Sequence, residues 1–347
     1  MPETPSPYIA VALQTACHTV NGMPLDDARA HLLKMITRVD EQIRGSKAFI
    51  GPDARLFVLP EYFMSGFPRG ESVEHWAKLA AIADGGPEYE ALSRSAQDNG
   101  VYIAGNAYEL DENFPGLYFQ TCFVISDSGE LVLRYRRLIS MFAPTPHDLW
   151  DRYLDLYGLD GVFPVADTEL GRLAACASEE ILYPEICRAH ALRGAEVIVH
   201  STAEVSSPLM TPKDLAKRAR AMENMAYLVS ANSGGLYGGG VPTGSTDGMS
   251  KVIDYKGHVL AEADTGESMC ANAEINIAAV RHYRQRPGMP NLLARQRLEL
   301  FAGVYGGEPV HPKNSLLDGD SYRIPERKDF IDVQRDVIQR LLDKGRI

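Results

Sequence analysis

Apolar positions along the chain keep two rhythms. Short, nearly unbroken runs at Ile9–Thr15, Arg55–Leu59, Val101–Tyr108, Leu173–Ala177, Ala195–Val199, Leu228–Asn232 and Ala273–Ile277 predict buried strands. Asp26–Ile43 instead spaces Leu32, Met35, Ile36, Val39 and Ile43 at helical intervals behind Asp26 and Asp27, which predicts an amphipathic helix with acids at its N-terminus. Pro87–Asn99, Lys213–Tyr227 and Asn291–Phe301 are further predicted helices. Tyr118–Ser126 and Leu131–Ile139 flank the turn Asp127-Ser128-Gly129, and Met249–Asp264 folds about Lys256-Gly257, so both read as hairpins. Strands alternating with helices, with hairpins among them, predict a layered α/β protein with mixed sheets.

One stretch organises this pattern. Gly171–His200 reads as a strand, a break at Ser178-Glu179-Glu180, a helix entered at Tyr183-Pro184-Glu185, and a second strand. Pro184 suits the first helical turn, where its missing N–H costs nothing. Ser178 is thus expected at a strand tip, facing a helix N-terminus whose free N–H groups can hold a developing oxyanion. Glu61, behind the run RLFVLP, sits at another strand tip, and Arg137 lies near the end of a hairpin strand. Capable side chains at the ends of strands far apart in sequence are how one pocket is commonly assembled.

Composition narrows the function. No Pro/Gly/Ser-rich linker splits the 347 residues, 45% of them hydrophobic, so one domain is expected over residues 1–306 with a C-terminal extension over 307–347. A net charge of −11 and a pI near 5.3 argue against nucleic acid or an anionic membrane as partner and leave a small-molecule substrate. Five cysteines, irregularly spaced and without a C-x-x-C pair, fit a reduced, cytoplasmic protein. The opening MPETPSPYIA lacks the basic and apolar regions of an export signal, and no apolar run is long enough to span a membrane. No His/Cys/Asp cluster has metal-ligand spacing, and Gly234-Gly235 with Gly238–Gly240 lacks the Lys-Ser/Thr of a phosphate loop. No metal or cofactor is expected, and those glycines read as a loop at the edge of a pocket.

The motifs, in order, resemble the nitrilase or carbon-nitrogen hydrolase superfamily, its aliphatic-amidase-like branch above all. VLPEYFMSGF looks like the family's glutamate segment, SDSGELVLRYRRLI its lysine segment and SEEILYPEICRAHALRGAEVIV its nucleophile segment, with RARAMENMAYLVSANSGG matching the segment after it. The resemblance implies a four-layer αββα sandwich that pairs into dimers, and a Glu-Lys-Cys triad that attacks an amide or nitrile carbon. Glu61 matches the glutamate, which the family uses as base. Arg137 stands where the lysine is expected and Ser178 where the cysteine is expected, whereas Cys176 is two residues too early. For the family's second glutamate the chain offers only aspartates, with Asp148 and Asp151 the nearest.

These departures change the chemistry. A thiol is intrinsically nucleophilic, whereas a serine hydroxyl needs a well-placed base when it attacks. Arginine stays charged, so it can hold an oxyanion or a carboxylate but cannot shuttle protons. Glu179, His200 and Glu204 are expected to line the pocket and bind substrate, with one of Glu179, Glu180, His200 and Glu204 standing as a replacement acid or base. Asp329–Lys344 carries Val333, Val337, Ile338, Leu341 and Leu342 on one side and is expected to pack on a second subunit of a homo-oligomer. Three functions follow: an amide-handling enzyme with a Glu61-Arg137-Ser178 site, a noncovalent acid/base enzyme on the same scaffold, or a catalytically inactive binding protein.

Overall fold

The computed structural model describes residues 4–207, 209–307 and 309–347. Met1, in the opening segment that lacks an export signal, and Glu308, in the expected C-terminal extension, lie outside the described residues.

Strand-forming runs pair into two six-stranded sheets. The first orders β14 (Asn272–Ile275), β1 (Tyr8–Ala12), β3 (Ala54–Val58), β4 (Tyr102–Leu110), β5 (Tyr118–Ile125) and β6 (Leu131–Arg136). Its β1, β3 and β4 are parallel, with β14 antiparallel at one edge and the β5–β6 hairpin at the other. The second orders β13 (Val259–Glu262), β12 (Lys251–Ile253), β10 (Tyr227–Ala231), β9 (Val197–Ser201), β8 (Gly171–Ala177) and β7 (Ala166–Thr168), with β8, β9 and β10 parallel. A short parallel pair, β2 (Cys17–His18) with β11 (Leu236–Tyr237), stands apart from both.

The period-two geometry of a strand sends neighbouring residues to opposite faces, and here both faces are buried. Tyr8, Ala10 and Ala12 of β1 join Leu56 and Val58 of β3 in a core shared with Leu173, Ala175 and Ala177 of β8. Val11, Phe57 and Phe123 face the other way, into a core with α1 (Leu25–Ile50), α2 (Val73–Ala80) and α3 (Pro87–Asn99). On the second sheet α5 (Pro184–Leu192) and α6 (Pro212–Asn224) contribute Ile186, Cys187, Ala216 and Ala221. Helices, sheet, sheet, helices is the four-layer sandwich that the resemblance implied. Pro87 at the first position of α3 and left-handed Gly100 at its end, φ 56°, delimit that helix where expected.

Three helical segments depart from the sequence pattern. The helix expected at Asn291–Phe301 is absent; α7 (Ile277–Gln285) precedes an irregular stretch and α8 (Glu299–Tyr305) follows it. Pro287, Gly288 and Pro290 stop α7, and Leu298 and Leu300 lie exposed, so no packed face supports a helix between them. The short α2, capped by Ser72, offers too few turns for its period to show. Gly158, at φ 59° and ψ −174°, breaks α4 (Trp150–Val162) and interrupts its period. The tail forms a small hairpin, β15 (Leu317–Asp318) with β16 (Ser321–Tyr322), and then α9 (Arg327–Asp343). Phe330, Val333 and Val337 of α9 wall a cavity of about 710 Å³ against Ile139 and Tyr183. Ile338 and Leu342 point outward, 44% and 50% exposed. Among the described residues no helix is long and apolar enough to cross a membrane.

Leu32 is fully buried on the sheet-facing side of α1, while Leu33 beside it is 36% exposed. Leu32→Ala is expected to lower the unfolding free energy in urea by about 2–5 kcal/mol. Leu33→Ala should stay within about 0.5 kcal/mol of the parent. Equal losses at the two positions would show that α1 does not bury this face.

Candidate active site

The C-terminal ends of β3, β6, β8 and β9 converge, the edge at which open α/β sheets hold ligands. Pro60, without an N–H, ends the β3 ladder, and Glu61 follows it into the gap between the sheets. Two bonds latch the sheets there: Ser201 Oγ donates to Leu59 O at 2.8 Å, and Glu61 N donates to Thr202 O at 3.3 Å. Glu61 is 1% exposed. Its Oε1 accepts from Gln120 Nε2 and, at 3.4 Å, from an Arg137 terminal nitrogen, and its Oε2 accepts from Ala203 N at 3.1 Å.

Arg137, one residue past β6, is the hub. Its Nε donates to Ile139 O at 2.7 Å, one terminal nitrogen donates to Gln120 Oε1 at 2.6 Å as well as to Glu61, and the other donates to Glu179 Oε1. Burial opposes the charge of this guanidinium, but Glu61, Glu179 and Glu180 outweigh burial and raise it above its ordinary value. Glu180 is itself fully buried and accepts from Tyr135 Oη at 2.8 Å, Leu138 N at 2.7 Å, Ile139 N at 3.0 Å and Ala177 N at 3.2 Å. Burial pushes its carboxyl up to about 7, against the pull of Arg137 and of those donors. Glu180 therefore bolts the end of β8 to the segment that carries Arg137.

Ser178 follows β8 directly. Its backbone is left-handed, φ 48°, a strained conformation for a residue with a Cβ and one that recurs at functional turns. The α5 N-terminus expected at this tip lies further on: a 3₁₀ turn, Ser178–Leu182, intervenes before Pro184. Ser178 Oγ accepts from Lys213 Nζ at 3.4 Å, and the same ammonium reaches Thr202 Oγ1 at 3.5 Å.

The other expected site residues divide by position. Glu179, whose side chain is 36% exposed, lines the 710 Å³ cavity together with Ser140, His147 and Tyr183. His200 lies beneath Ser178, fully buried, with Nε2 on Ser178 O at 2.9 Å and Nδ1 against Ser230 Oγ at 2.8 Å. A carbonyl only accepts, so the network assigns the proton to Nε2. Both ring nitrogens are thus engaged within the protein, and burial drives the imidazole down to about 3, which keeps it neutral. Glu204 is buried in an ion pair with Lys217 at 2.5 Å. Asp148 caps its own turn through Thr145 and accepts from Ser315 Oγ at 2.6 Å, and Asp151 pairs with Lys313 at the surface, so neither joins Glu61. Cys176 is sealed inside β8, where burial pushes its thiol up, away from the reactive thiolate. The glycine segment packs on backbone: a Cβ on Gly234 would come within 2.9 Å of the Gly266 carbonyl.

Two contributors escaped the sequence reading. Gln120, which bridges Glu61 and Arg137, is a polar residue inside the apolar run YFQTCFVI, a signal in itself. Lys213 is a cation in the first turn of α6, the end at which the helix dipole disfavours positive charge. Among the described residues no group of three or more His, Cys, Asp or Glu is placed to hold a metal ion.

Comparison with known proteins agrees with the fold. The carbon-nitrogen hydrolase family model matches residues 20–285, well over half of the chain. A Schizosaccharomyces pombe protein named as a probable nitrilase is 29% identical over 238 residues, 69% of this chain and 79% of that protein. A Bacillus cereus formamidase is 25% identical over 312 residues, 87% of this chain and 86% of its own. Among solved structures, a mutant amidase from Nesterenkonia sp. AN1, carrying an acetamide moiety on its active-site cysteine, superposes with a TM-score of 0.60 at 18% identity, over 87% of this chain and 98% of that one.

The neutral His200 sets a pH dependence. An unfolded histidine takes its proton near pH 6.5. The native one resists protonation until about pH 3, so its contribution to stability is complete above about pH 6.5 and is lost as the pH falls below that value. Urea titrations from pH 7.5 to 4.5 are expected to show wild type losing stability relative to His200→Gln as the pH drops. A constant difference across that range would show that His200 is not held neutral.

Proposed function

The chain belongs to the carbon-nitrogen hydrolase family, and on that footing we propose that it hydrolyses the carbon–nitrogen bond of a small polar amide through an acyl intermediate on Ser178. The supporting observation is the buried Glu61-Gln120-Arg137 cluster, set at the strand ends beside a serine in left-handed conformation. An unpartnered carboxylate would be costly at such depth, and this one is kept with its donors at the strand ends, which supports a role for it as proton acceptor. Ser178 Oγ is the nucleophile. Glu61 accepts a proton in the hydrolytic step, and Arg137 fixes Glu61 and Glu179 while adding positive potential to the mouth of the cleft. The named activities of the relatives, nitrilase, formamidase and amidase, are all carbon–nitrogen hydrolysis.

A second reading, ligand binding without covalent chemistry, is favoured by one observation. Arg137 already spends its donors on Glu61, Gln120, Glu179 and Ile139, which leaves little of the guanidinium for a developing oxyanion. We further propose that the chain assembles as a homo-oligomer through α9, whose Ile338 and Leu342 are exposed.

Wild-type protein incubated with short amides, nitriles and N-carbamoyl compounds is expected to release ammonia or amine and to show an acyl adduct on Ser178 by intact mass and peptide mapping. Glu61→Gln should lower kcat by roughly 10²–10⁴-fold, the usual worth of a positioned general base. Ser178→Ala should abolish both adduct and product; product that survives this change overturns covalent attack by the serine.

A further inference from the structure

We propose that Lys213, not Glu61 or Arg137, is the residue that takes the proton of Ser178 when the serine attacks. The inference rests on the reading of Ser178 as nucleophile and adds the group that activates it.

The donors on Glu61 are Gln120, Arg137 and Ala203, not Ser178, and an arginine cannot accept a proton. Lys213 Nζ is the side-chain group in hydrogen-bond contact with the serine Oγ, at 3.4 Å. That distance is long for a formed bond, as catalytic contacts often are before substrate tightens them. Among the described residues no carboxylate lies within ion-pair distance of Lys213; its hydrogen-bond partners are the hydroxyls of Ser178 and Thr202.

The placement is built from both sides. On α6, Thr211 caps the helix and Asp214 is pinned to β12 by Lys251 at 2.8 Å. One turn further on, Lys217 grips Glu204 at 2.5 Å, which ties the segment after β9 to the same helix. Lys213 stands between these anchors. Opposite it, His200 Nε2 holds the Ser178 carbonyl and leaves the serine side chain turned toward the lysine.

The step balances without a further reactant. Once Lys213 has released its extra proton to solvent, its amine takes the hydroxyl proton while Ser178 Oγ bonds to the carbonyl carbon, and the carbonyl π pair moves to oxygen. On collapse the ammonium gives that proton to the departing nitrogen, the carbon–nitrogen bond breaks, and an acyl ester remains on Ser178. Water then attacks the ester carbon and gives up one proton to Glu61, and that proton passes to Ser178 Oγ as the ester bond breaks and the acid is released.

The test does not require the natural substrate. Wild-type protein is treated with an alkyl fluorophosphonate, and the rate at which Ser178 is modified is followed by intact mass beside Lys213→Ala, Lys213→Arg and Ser178→Ala. Both lysine variants are expected to react at least about 10²-fold more slowly, because arginine keeps the charge but cannot accept a proton. Ethylamine in the medium should restore Lys213→Ala and leave Ser178→Ala inert. Modification of Lys213→Ala at the wild-type rate, or full recovery in Lys213→Arg, overturns the role of the lysine while Ser178 remains the nucleophile. Absence of any adduct on wild-type Ser178 overturns the serine reading and this assignment together.

Discussion

A guanidinium sealed between two sheets has to find its counter-charges inside the protein. Arg137 finds them in Glu61 and Glu179, with Glu180 close behind, and in doing so it determines where each carboxylate stands. Removing one partner of such a buried group leaves the others uncompensated, at a cost of about 3–5 kcal/mol, so the cluster is kept or lost as a unit. The ends of β3, β6 and β8 are held together by this requirement as much as by apolar packing.

The second buried charge network governs the opposite wall. Lys217 with Glu204, and Lys251 with Asp214 and Glu262, tie α6 to the second sheet. Neither network alone brings a proton acceptor to the serine. The first fixes a carboxylate whose donors are Gln120, Arg137 and Ala203 rather than Ser178, and the second fixes the helix from which a lysine reaches Ser178 Oγ.

This division follows from the difference between sulfur and oxygen. A thiol gives up its proton easily and tolerates a distant base, whereas a hydroxyl must hand its proton over in the same step in which it attacks. The proposed attack by Ser178 therefore depends on a base that touches Oγ. An arginine in the strand-end position cannot supply one, however well it organises the acids around it.

Much was legible in the sequence. Period-two and period-3.6 patterns are local, so they set the alternation of strands and helices, the ends of α3 and the layered class of the fold. Proline and glycine at element ends placed Ser178, Glu61 and Arg137 at strand tips without any tertiary information. The failures had physical causes as well. A helix expected at Asn291–Phe301 had apolar residues but no surface to bury them on, and Gly158 hid α4 by breaking its period. Burial separated His200 and Glu204 from Glu179: the same polar letters became a neutral prop, a structural ion pair and a cavity wall according to what packed around them. The contact between Lys213 and Ser178 joins residues on different elements, across a distance that no local period encodes. Sequence alone determined which groups stand at strand ends; only the tertiary packing decided which of them are spent on one another and which remain free to act.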